Sequence, residues 1–463
     1  MTNDMTDDFK NKKIAIVGFG VEGVASAKYL HDKGANIWVL DKRQKGELEQ
    51  QFVTPIERLG VQFILGENYL SDLSKYDMII RSPGVKRSTP ELVQAEKDGV
   101  IITSQTKLFF DLCPAKIIGV TGTKGKGTTS SLIYEMLKSD GRDVFLGGNI
   151  GFPPIAFLDQ LTGQSIVVLE LSSFQLQDLD KSPHIAVMLM ITSEHLDYHA
   201  TVEEYVDAKR NLVRHQTTDD YAVVNRDYPA SNESDILTDG KVFYVSRERE
   251  TDNGCFVLGG KILMRKNGND QEVIKKDEIF LPGKHNLENV CAAAMAASLA
   301  GVGREEIAYV LRTFRGLEHR LELVREVNGV KYYDDSFSTT PETAIAAIEA
   351  FENPKILILG GASKNSDFSE LGKVIRHAKT IKAIIGIGEE WERIKPHVSH
   401  TEGDILLIEG ATTMQQIVQA AEKLARSGDV VLLSPGCTSF DMFKNYKDRG
   451  EQFKKAVLSL NAS

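Results

Sequence analysis

The residues with the plainest chemical capacity are Gly122-Thr123-Lys124-Gly125-Lys126-Gly127-Thr128. A β-branched, apolar run from Lys116 to Thr121 leads into them, and a helix-like run from Thr128 to Leu137 leaves them. The order is strand, glycine loop, helix. Glycines there let successive backbone N–H groups point at one anion, and the helix N-terminus adds partial positive charge. Lys126 can reach outer phosphates, and a hydroxyl on the following turn can ligate Mg²⁺. Val120 stands where the usual spacing has glycine, and Gly127 where it has Ser or Thr, so the hydroxyl role moves to Thr128. A flexible glycine turn before a helix would share some of these features. The loop and its flanks together favour phosphate binding.

A second glycine loop, Gly18-Phe19-Gly20-Val21-Glu22-Gly23, follows the apolar run Ile14 to Val17. The next strand, Ile37 to Leu40, closes on Asp41-Lys42-Arg43. This is a dinucleotide fingerprint, and a nicotinamide-dependent oxidoreductase is the reading it invites first. A UDP-linked ligand would use the same features. Gly84 lies in another loop at a strand end, Arg81-Ser82-Pro83-Gly84. Glu170 falls near the end of the run Ser165 to Leu171, and His195 follows the run His184 to Ile191. An acid in so apolar a run is costly unless paired, by Mg²⁺ or by a cap or surface cation. His195 reads from its residues alone as a satisfied core or loop histidine. Lys209, on a helix from Val202 to His215 with Asp207 and Arg210, reads as part of a solvated charged face. Asn286 and Asn289 open an Ala-rich helix and either cap it or read a base edge.

The elements that must position these residues alternate strand with helix along the chain, which predicts α/β domains with mainly parallel sheets. At 463 residues about three domains are expected. The boundaries fall at 1–106 (Rossmann-like), 107–315 (a central phosphate-loop domain) and 316–463 (a second Rossmann-like α/β domain). Short strands and turns between Tyr221 and Gly268 look like a small antiparallel patch on the central domain. The composition is ordinary for a soluble chain, with 42% hydrophobic and 26% charged residues. A formal charge of −10 argues against a nucleic-acid partner. Cys113, Cys255, Cys291 and Cys437 form no CxxC pair, which suits a reducing compartment. The polar, acidic N-terminus is no signal peptide, and no apolar run is long enough to span a bilayer. A cytoplasmic location is expected.

Taken together, the chain resembles the Mur ligases, ATP-dependent amide ligases of peptidoglycan precursor synthesis. The segments that carry the resemblance are GTKGKGT at Gly122, GNIG at Gly148, LELSSFQL at Leu169, HLDYH at His195, HNLEN at His285, EHR at Glu318, GGASK at Gly360 and LSPGCTSFDMFKNY at Leu433. They occur in family order over nearly the full length, and the match is to the branch that adds D-glutamate to UDP-N-acetylmuramoyl-L-alanine. The resemblance implies that Lys126 and the loop amides hold ATP phosphates, with Thr128 and Glu170 on one Mg²⁺ and His195 near a second. It implies that Lys209 is carbamylated and so becomes a carboxylate-like metal ligand. Asn286 and Asn289 would face the adenine, and Arg320 and Asp335 would close on the nucleotide. Lys364, Ser439, Tyr446 and Thr339 would hold the incoming glutamate. Val21, Glu22, Asp41, Arg43 and Gly84 would meet the UDP, and Asn149 the muramoyl group. Three small-molecule substrates and a monomer are implied.

Three positions depart from the branch. Asp335-Ser336-Phe337-Ser338-Thr339-Thr340 has Phe337 where a lysine is usual, Met190 replaces an asparagine, and Gly127 replaces Ser or Thr. The first removes a cation close to the acceptor amino acid. These departures bear on which amino acid is added, and L-glutamate is the alternative within the same chemistry.

Overall fold

The computed structural model describes residues 9–192, 198–199, 201–363, 365–398 and 405–461. Two compact units emerge: Met1–Lys276 with Glu288–Val310, and Asp277–Leu287 with Leu311–Ser463.

The first unit holds two sheets. One is a five-stranded parallel sheet in the spatial order Gln62–Leu65, Asn36–Asp41, Lys13–Val17, Met78–Arg81, Ile101–Ser104. Its central strand buries Ile14, Ala15, Ile16 and Val17 completely or nearly so, as expected for a parallel strand covered on both faces. The other is a nine-stranded sheet. Val144–Gly148, Ile166–Glu170, Lys116–Thr121, Ile185–Met188, Tyr221–Asn225 and Lys241–Ser246 run parallel in that order. Every residue of Ile166–Glu170 is buried, and each such branched side chain stabilises the fold by about 1.5–3 kcal/mol.

The antiparallel patch expected from Tyr221 onward begins later than the sequence indicated. Tyr221–Asn225 and Lys241–Ser246 extend the parallel sheet, with Val223 opposite Phe243. The apolar Ala222-Val223-Val224 is buried on both faces, and residues 226–240 between the strands are long enough for a parallel crossover. Antiparallel pairing is confined to Gly254–Leu258, Lys261–Lys266 and Asn269–Lys275.

The second unit has a six-stranded sheet. Val330–Asp334, Val430–Leu433, Lys355–Gly360, Ile381–Ile387 and Leu406–Ile408 are parallel, and Glu322–Val327 lies antiparallel on one edge. That edge hairpin turns on Asn328-Gly329, whose φ angles of 51° and 77° suit the two-residue turn that Asn-Gly favours. Among the described residues no helix is long and apolar enough to cross a membrane.

Candidate active site

The glycine loop runs from the strand Lys116–Thr121 into the helix Lys126–Ser139. Parallel pairing sets Val120 beside Glu170 and Thr121 beside Met188, so three strand ends meet there. Ligands of open α/β sheets gather at such carboxyl edges. Gly125, the residue before the helix, has φ +87°, and a Cβ there would lie 2.2 Å from Asn289 Oδ1. The positive φ favours glycine, and a Cβ would have to displace the Asn289 amide. Asn289 Oδ1 also accepts from Thr129 Oγ1 at 3.4 Å. Lys126 Nζ donates to the carbonyls of Gly122 and Thr123 at 2.9 and 3.0 Å. Thr123 is fixed from two sides: its N–H donates to Met190 O at 2.6 Å, and its hydroxyl lies 3.0 Å from the Tyr205 hydroxyl. Lys124 is exposed, Gly122 and Gly127 are buried, and Thr128 is half-buried.

Lys209 overturns its reading as a surface charge. The helix Val202–Arg214 buries Tyr205, Val206, Lys209, Leu212 and Val213, a stripe with helical spacing. Asp207 lies on the exposed side. Lys209 is only 1% exposed. Its Nζ donates to Gly122 O at 3.0 Å and lies 4.7 Å from the Tyr205 ring centroid. The least conspicuous lysine of the sequence thus sits against the phosphate loop.

Glu170 is 4% exposed and accepts from Asn149 Nδ2 at 3.0 Å. Gly148, beside it, has φ +98°, and a Cβ there would lie 2.2 Å from Glu170 O. His195 and Lys364 lie outside the described residues. Asn286 donates its amide to Pro282 O at 2.6 Å, four residues before it.

At the first glycine loop, Asp41 accepts from Phe19 N–H at 2.8 Å and from Arg43 N–H and Nε, both at 2.9 Å. Arg43 Nη2 adds a fourth bond at 2.7 Å. Burial raises the Asp41 carboxyl, but the Arg43 and backbone donors outweigh it and hold the group below its ordinary value. A carboxylate offers about four lone-pair sites, and these are committed. The dinucleotide reading, in which this carboxylate grips a ribose diol, loses its anchor. Val21 is exposed, and Gly84 has open space around its Cα. Glu22 is half-buried, and the desolvation of its carboxyl raises its pKa; its Oε1 accepts from Gln175 of the central module at 2.8 Å. Arg81 and Asp178, both fully buried, form an ion pair between the same two modules.

In the second unit, Asp335 accepts from Ser434 Oγ at 2.7 Å and from Leu321 N–H at 3.2 Å. Burial pushes its pKa up to about 7. Arg320 lies over the Phe337 ring, 3.7 Å from its centroid, and Tyr446 meets that ring edge-on at 5.1 Å. Ser439 is buried and Thr339 half-buried. Sequence reasoning missed Arg449, which is fully buried. Its guanidinium donates to the carbonyls of Ser336, Cys437 and Thr438 and to Ser336 Oγ, all at 2.9–3.1 Å. It braces the segments that carry Asp335 and Ser439. Burial lowers its pKa to about 10. Nothing in its local sequence, a polar helix start, marks it.

A phosphate cradle at one sheet's carboxyl edge, a second glycine loop beside it and a separate α/β unit define a multi-module nucleotide-using α/β protein. The profile of the Mur ligase middle domain matches residues 120–297, that of the Mur ligase MurD-like N-terminal domain 12–104, and that of the Mur ligase glutamate ligase domain 319–437. The chain is 40% identical to the UDP-N-acetylmuramoylalanine–D-glutamate ligase of Acetivibrio thermocellus, with 99% of each chain covered. It is 39% identical to the enzyme of the same name from Ruminiclostridium cellulolyticum, with 98% of each covered. The chain belongs to the Mur ligase family. Among solved structures, MurF from Acinetobacter baumannii superposes with a TM-score of 0.59 at 14% identity, covering 98% of this chain and 92% of that one. MurC from Thermotoga maritima gives 0.57 at 19% identity, with 97% and 100% covered. At these identities the likeness is one of fold.

Proposed function

We propose that this chain is an ATP-dependent amide ligase that joins D-glutamate to the alanyl carboxylate of UDP-N-acetylmuramoyl-L-alanine, releasing ADP and phosphate. The observation that carries the reading is the intact phosphate cradle in a chain 40% identical, end to end, to an enzyme of that name.

A carboxylate does not react with an amine at neutral pH, because oxide is too poor a leaving group. In the proposed reaction the alanyl carboxylate oxygen attacks the γ-phosphorus of ATP and ADP departs. The glutamate amine then attacks the resulting acyl phosphate at carbon, loses a proton, and phosphate leaves. Phosphoryl transfer needs positioning and charge neutralisation above all. The loop amides and Lys126 supply both in this reading, with the Asn289 amide packed against Gly125 and accepting from Thr129.

The residues present fit Mg²⁺: the Thr128 hydroxyl and the buried Glu170 carboxylate are oxygen donors of the kind it takes. When bound, Mg²⁺ neutralises charge on the transferring phosphoryl group. Asn149 orients Glu170 through its amide, and His195 stands as the candidate for a second ion. Lys209 fits carbamylation because its amine is buried at the loop. A carbamate would keep one N–H for Gly122 O while presenting two oxygens. Asn286 and Asn289 serve the adenine, and Arg320 and Asp335 close on the nucleotide. Lys364, Ser439, Tyr446 and Thr339 receive glutamate. Val21, Glu22, Gly84 and Arg43 meet the UDP, with Asp41 fixing Arg43 and the loop. The proposed domains are 1–106, 107–315 and 316–463, each with one substrate. Free thiols at all four cysteines and the use of ATP suit a cytoplasmic location.

The test is phosphate release from purified protein with ATP, Mg²⁺, UDP-N-acetylmuramoyl-L-alanine and either enantiomer of glutamate. Release is expected only with all components and with the D form. Release indifferent to glutamate would sink the reading, and a preference for L-glutamate would correct the substrate.

A further inference from the structure

One carboxylate holds the loop of residues 82–86 from both of its ends. Arg81 precedes the loop and Arg87 follows it, and both donate to Asp178: Arg81 Nη2 to one oxygen, Arg87 Nη1 to the other at 3.2 Å. The Arg81 and Asp178 side chains are 0% and 1% exposed. Arg81 Nη1 turns back into the loop, donating to Val85 O and, at 3.3 Å, to Ser82 O. The loop in turn packs on the first glycine loop. Ser82 N–H donates to Val17 O at 2.8 Å, and a Cβ on Gly18 would lie 2.7 Å from Ser82 Cβ.

A second observation concerns the chain that carries Asp178. It begins at Glu170, the last residue of the strand Ile166–Glu170, and passes through the short helix Ser173–Leu176. Gln175, three residues before Asp178, donates to Glu22 Oε1 of the first glycine loop at 2.8 Å. The Gln175 amide is itself fixed, because its Oε1 accepts from Ser172 N–H at 3.0 Å. One short run of chain thus joins the buried Glu170 carboxylate, paired in register beside the phosphate cradle, to both loops of the N-terminal sheet. A buried ion pair is a costly way to gain stability, since two apolar side chains of similar volume serve as well. Its geometry, in contrast, is specific: two planar forks on one carboxylate fix the loop in direction as well as distance.

We propose that Asp178 is a positioning residue for the nucleotide-sugar substrate: by clasping Arg81 and Arg87 it sets the loop of residues 82–86, and with it the UDP, at a fixed offset from Glu170 and the phosphate cradle. The inference deepens the ligase reading and rests on it. The alanyl carboxylate must meet the γ-phosphorus in line, and a small misplacement of one reactant is costly. A loop ordered before binding also removes the cost of ordering it afterwards. The effect therefore falls on the UDP-linked substrate and on turnover, and spares ATP.

Four variants of the full chain test it: Asp178→Asn, Arg87→Gln, Asp178→Leu, and Asp178→Leu combined with Arg81→Met. Each is measured by calorimetric titration with UDP-N-acetylmuramoyl-L-alanine, by steady-state phosphate release and by thermal unfolding. Asp178→Asn is expected to weaken binding of the UDP-linked substrate about tenfold and to lower kcat about tenfold, with the KM for ATP within about twofold of wild type. Arg87→Gln changes a half-buried side chain and keeps the buried pair; it should weaken the same binding about threefold at an unchanged melting temperature. Asp178→Leu strands the Arg81 charge and should unfold at a lower temperature. The double variant removes both charges and should regain that temperature, while its binding of the UDP-linked substrate stays about tenfold weak. Recovery of binding along with stability would make the pair purely structural and overturn the proposal. Binding within about twofold of wild type in Asp178→Asn would overturn it too, as would an equal loss for ATP. Wild-type protein that does not bind the UDP-linked substrate sinks the ligase reading itself. Wild type that binds it, with an indifferent Asp178→Asn, sinks only this inference.

Discussion

Around Gly122–Thr128 the exposed edge is backbone, shaped by a left-handed glycine that Asn289 packs against and bonded to Tyr205 and Lys209. Around Asp334–Asp335, at the carboxyl edge of the other unit's sheet, the surroundings are side chain: buried Asp334 meets His319, buried Asp335 accepts from Ser434, and buried Arg449 donates to loop carbonyls. The two regions have the same topological position and use different materials. A backbone cradle keeps its charge at any ordinary pH and fails by steric or conformational damage. A lattice of buried titratable groups is stiff, but its stability depends on protonation and on every partner being present.

The largest expected contrast comes from Lys126, the cradle's cation. Lys126→Ala should lower phosphate release by about 1,000-fold while leaving binding of the UDP-linked substrate and the unfolding midpoint near wild type. Turnover within tenfold of wild type would show that the loop does not carry the phosphate chemistry.

Arg449→Ala probes the other material. Removing it strands the carbonyls of Ser336 and Cys437 without their guanidinium donors, while Thr438 O keeps the Ala362 N–H; each stranded carbonyl costs about 1–3 kcal/mol. The expected outcome is a clear fall in the urea midpoint of the unit that contains it, read from fluorescence at Trp391, which lies in that unit. Arg449→Lys should recover only part, since an ammonium cannot reproduce a planar fork with five donors. Full stability in the alanine variant would mean the lattice is decorative.

Lys209→Ala is intermediate, because Lys209 supports the cradle from a helix and does not form it. A loss of about 100-fold is expected, with the unfolding midpoint little changed. Partial rescue by a short carboxylic acid would identify the carbamate. Loss without rescue would leave Lys209 as a lysine that positions Gly122.

How much of this could be read from residues alone follows the same division. The cradle was legible because glycine, lysine and hydroxyl residues between an apolar run and a helix have few other uses, and Lys116–Thr121 folds as the strand expected. The parallel sheets were legible for the same reason, since buried strands show as unbroken apolar runs. Lys209 was hidden because the charge of its neighbours Asp207 and Arg210 masked a buried stripe at helical spacing. The strands at Tyr221 and Lys241 were misassigned because a short apolar run does not disclose its partner's direction; the crossover length does. The edge hairpin went unread although Asn328-Gly329 announces it. Arg449 and the His319–Asp334 contact were beyond reach, since the buried polar lattice joins residues as far as 113 positions apart that look like surface residues singly.

The smallest effect is the one that most sharply separates the two materials. Asp335 has its pKa raised to about 7 by burial, against about 3.9 for an unperturbed aspartate. Between these values the folded chain holds a proton that the unfolded chain has released, so the stability this group contributes is fully present below about pH 4 and is lost as pH rises through about 7. Asparagine resembles the protonated acid in shape and has no charge to desolvate. Asp335→Asn should therefore flatten the dependence: from pH 5.5 to pH 8 the wild-type melting temperature is expected to fall by a few degrees more than the variant's, about 2–4 °C per kcal/mol for a chain of this size. Gly125, at the cradle, carries no such group, and Gly125→Ala should lower the melting temperature by the same amount at both pH values. Parallel pH profiles for wild type and Asp335→Asn would mean that Ser434 and Leu321 satisfy the ionised carboxylate fully, and that the buried lattice is no more sensitive to protons than the backbone loop.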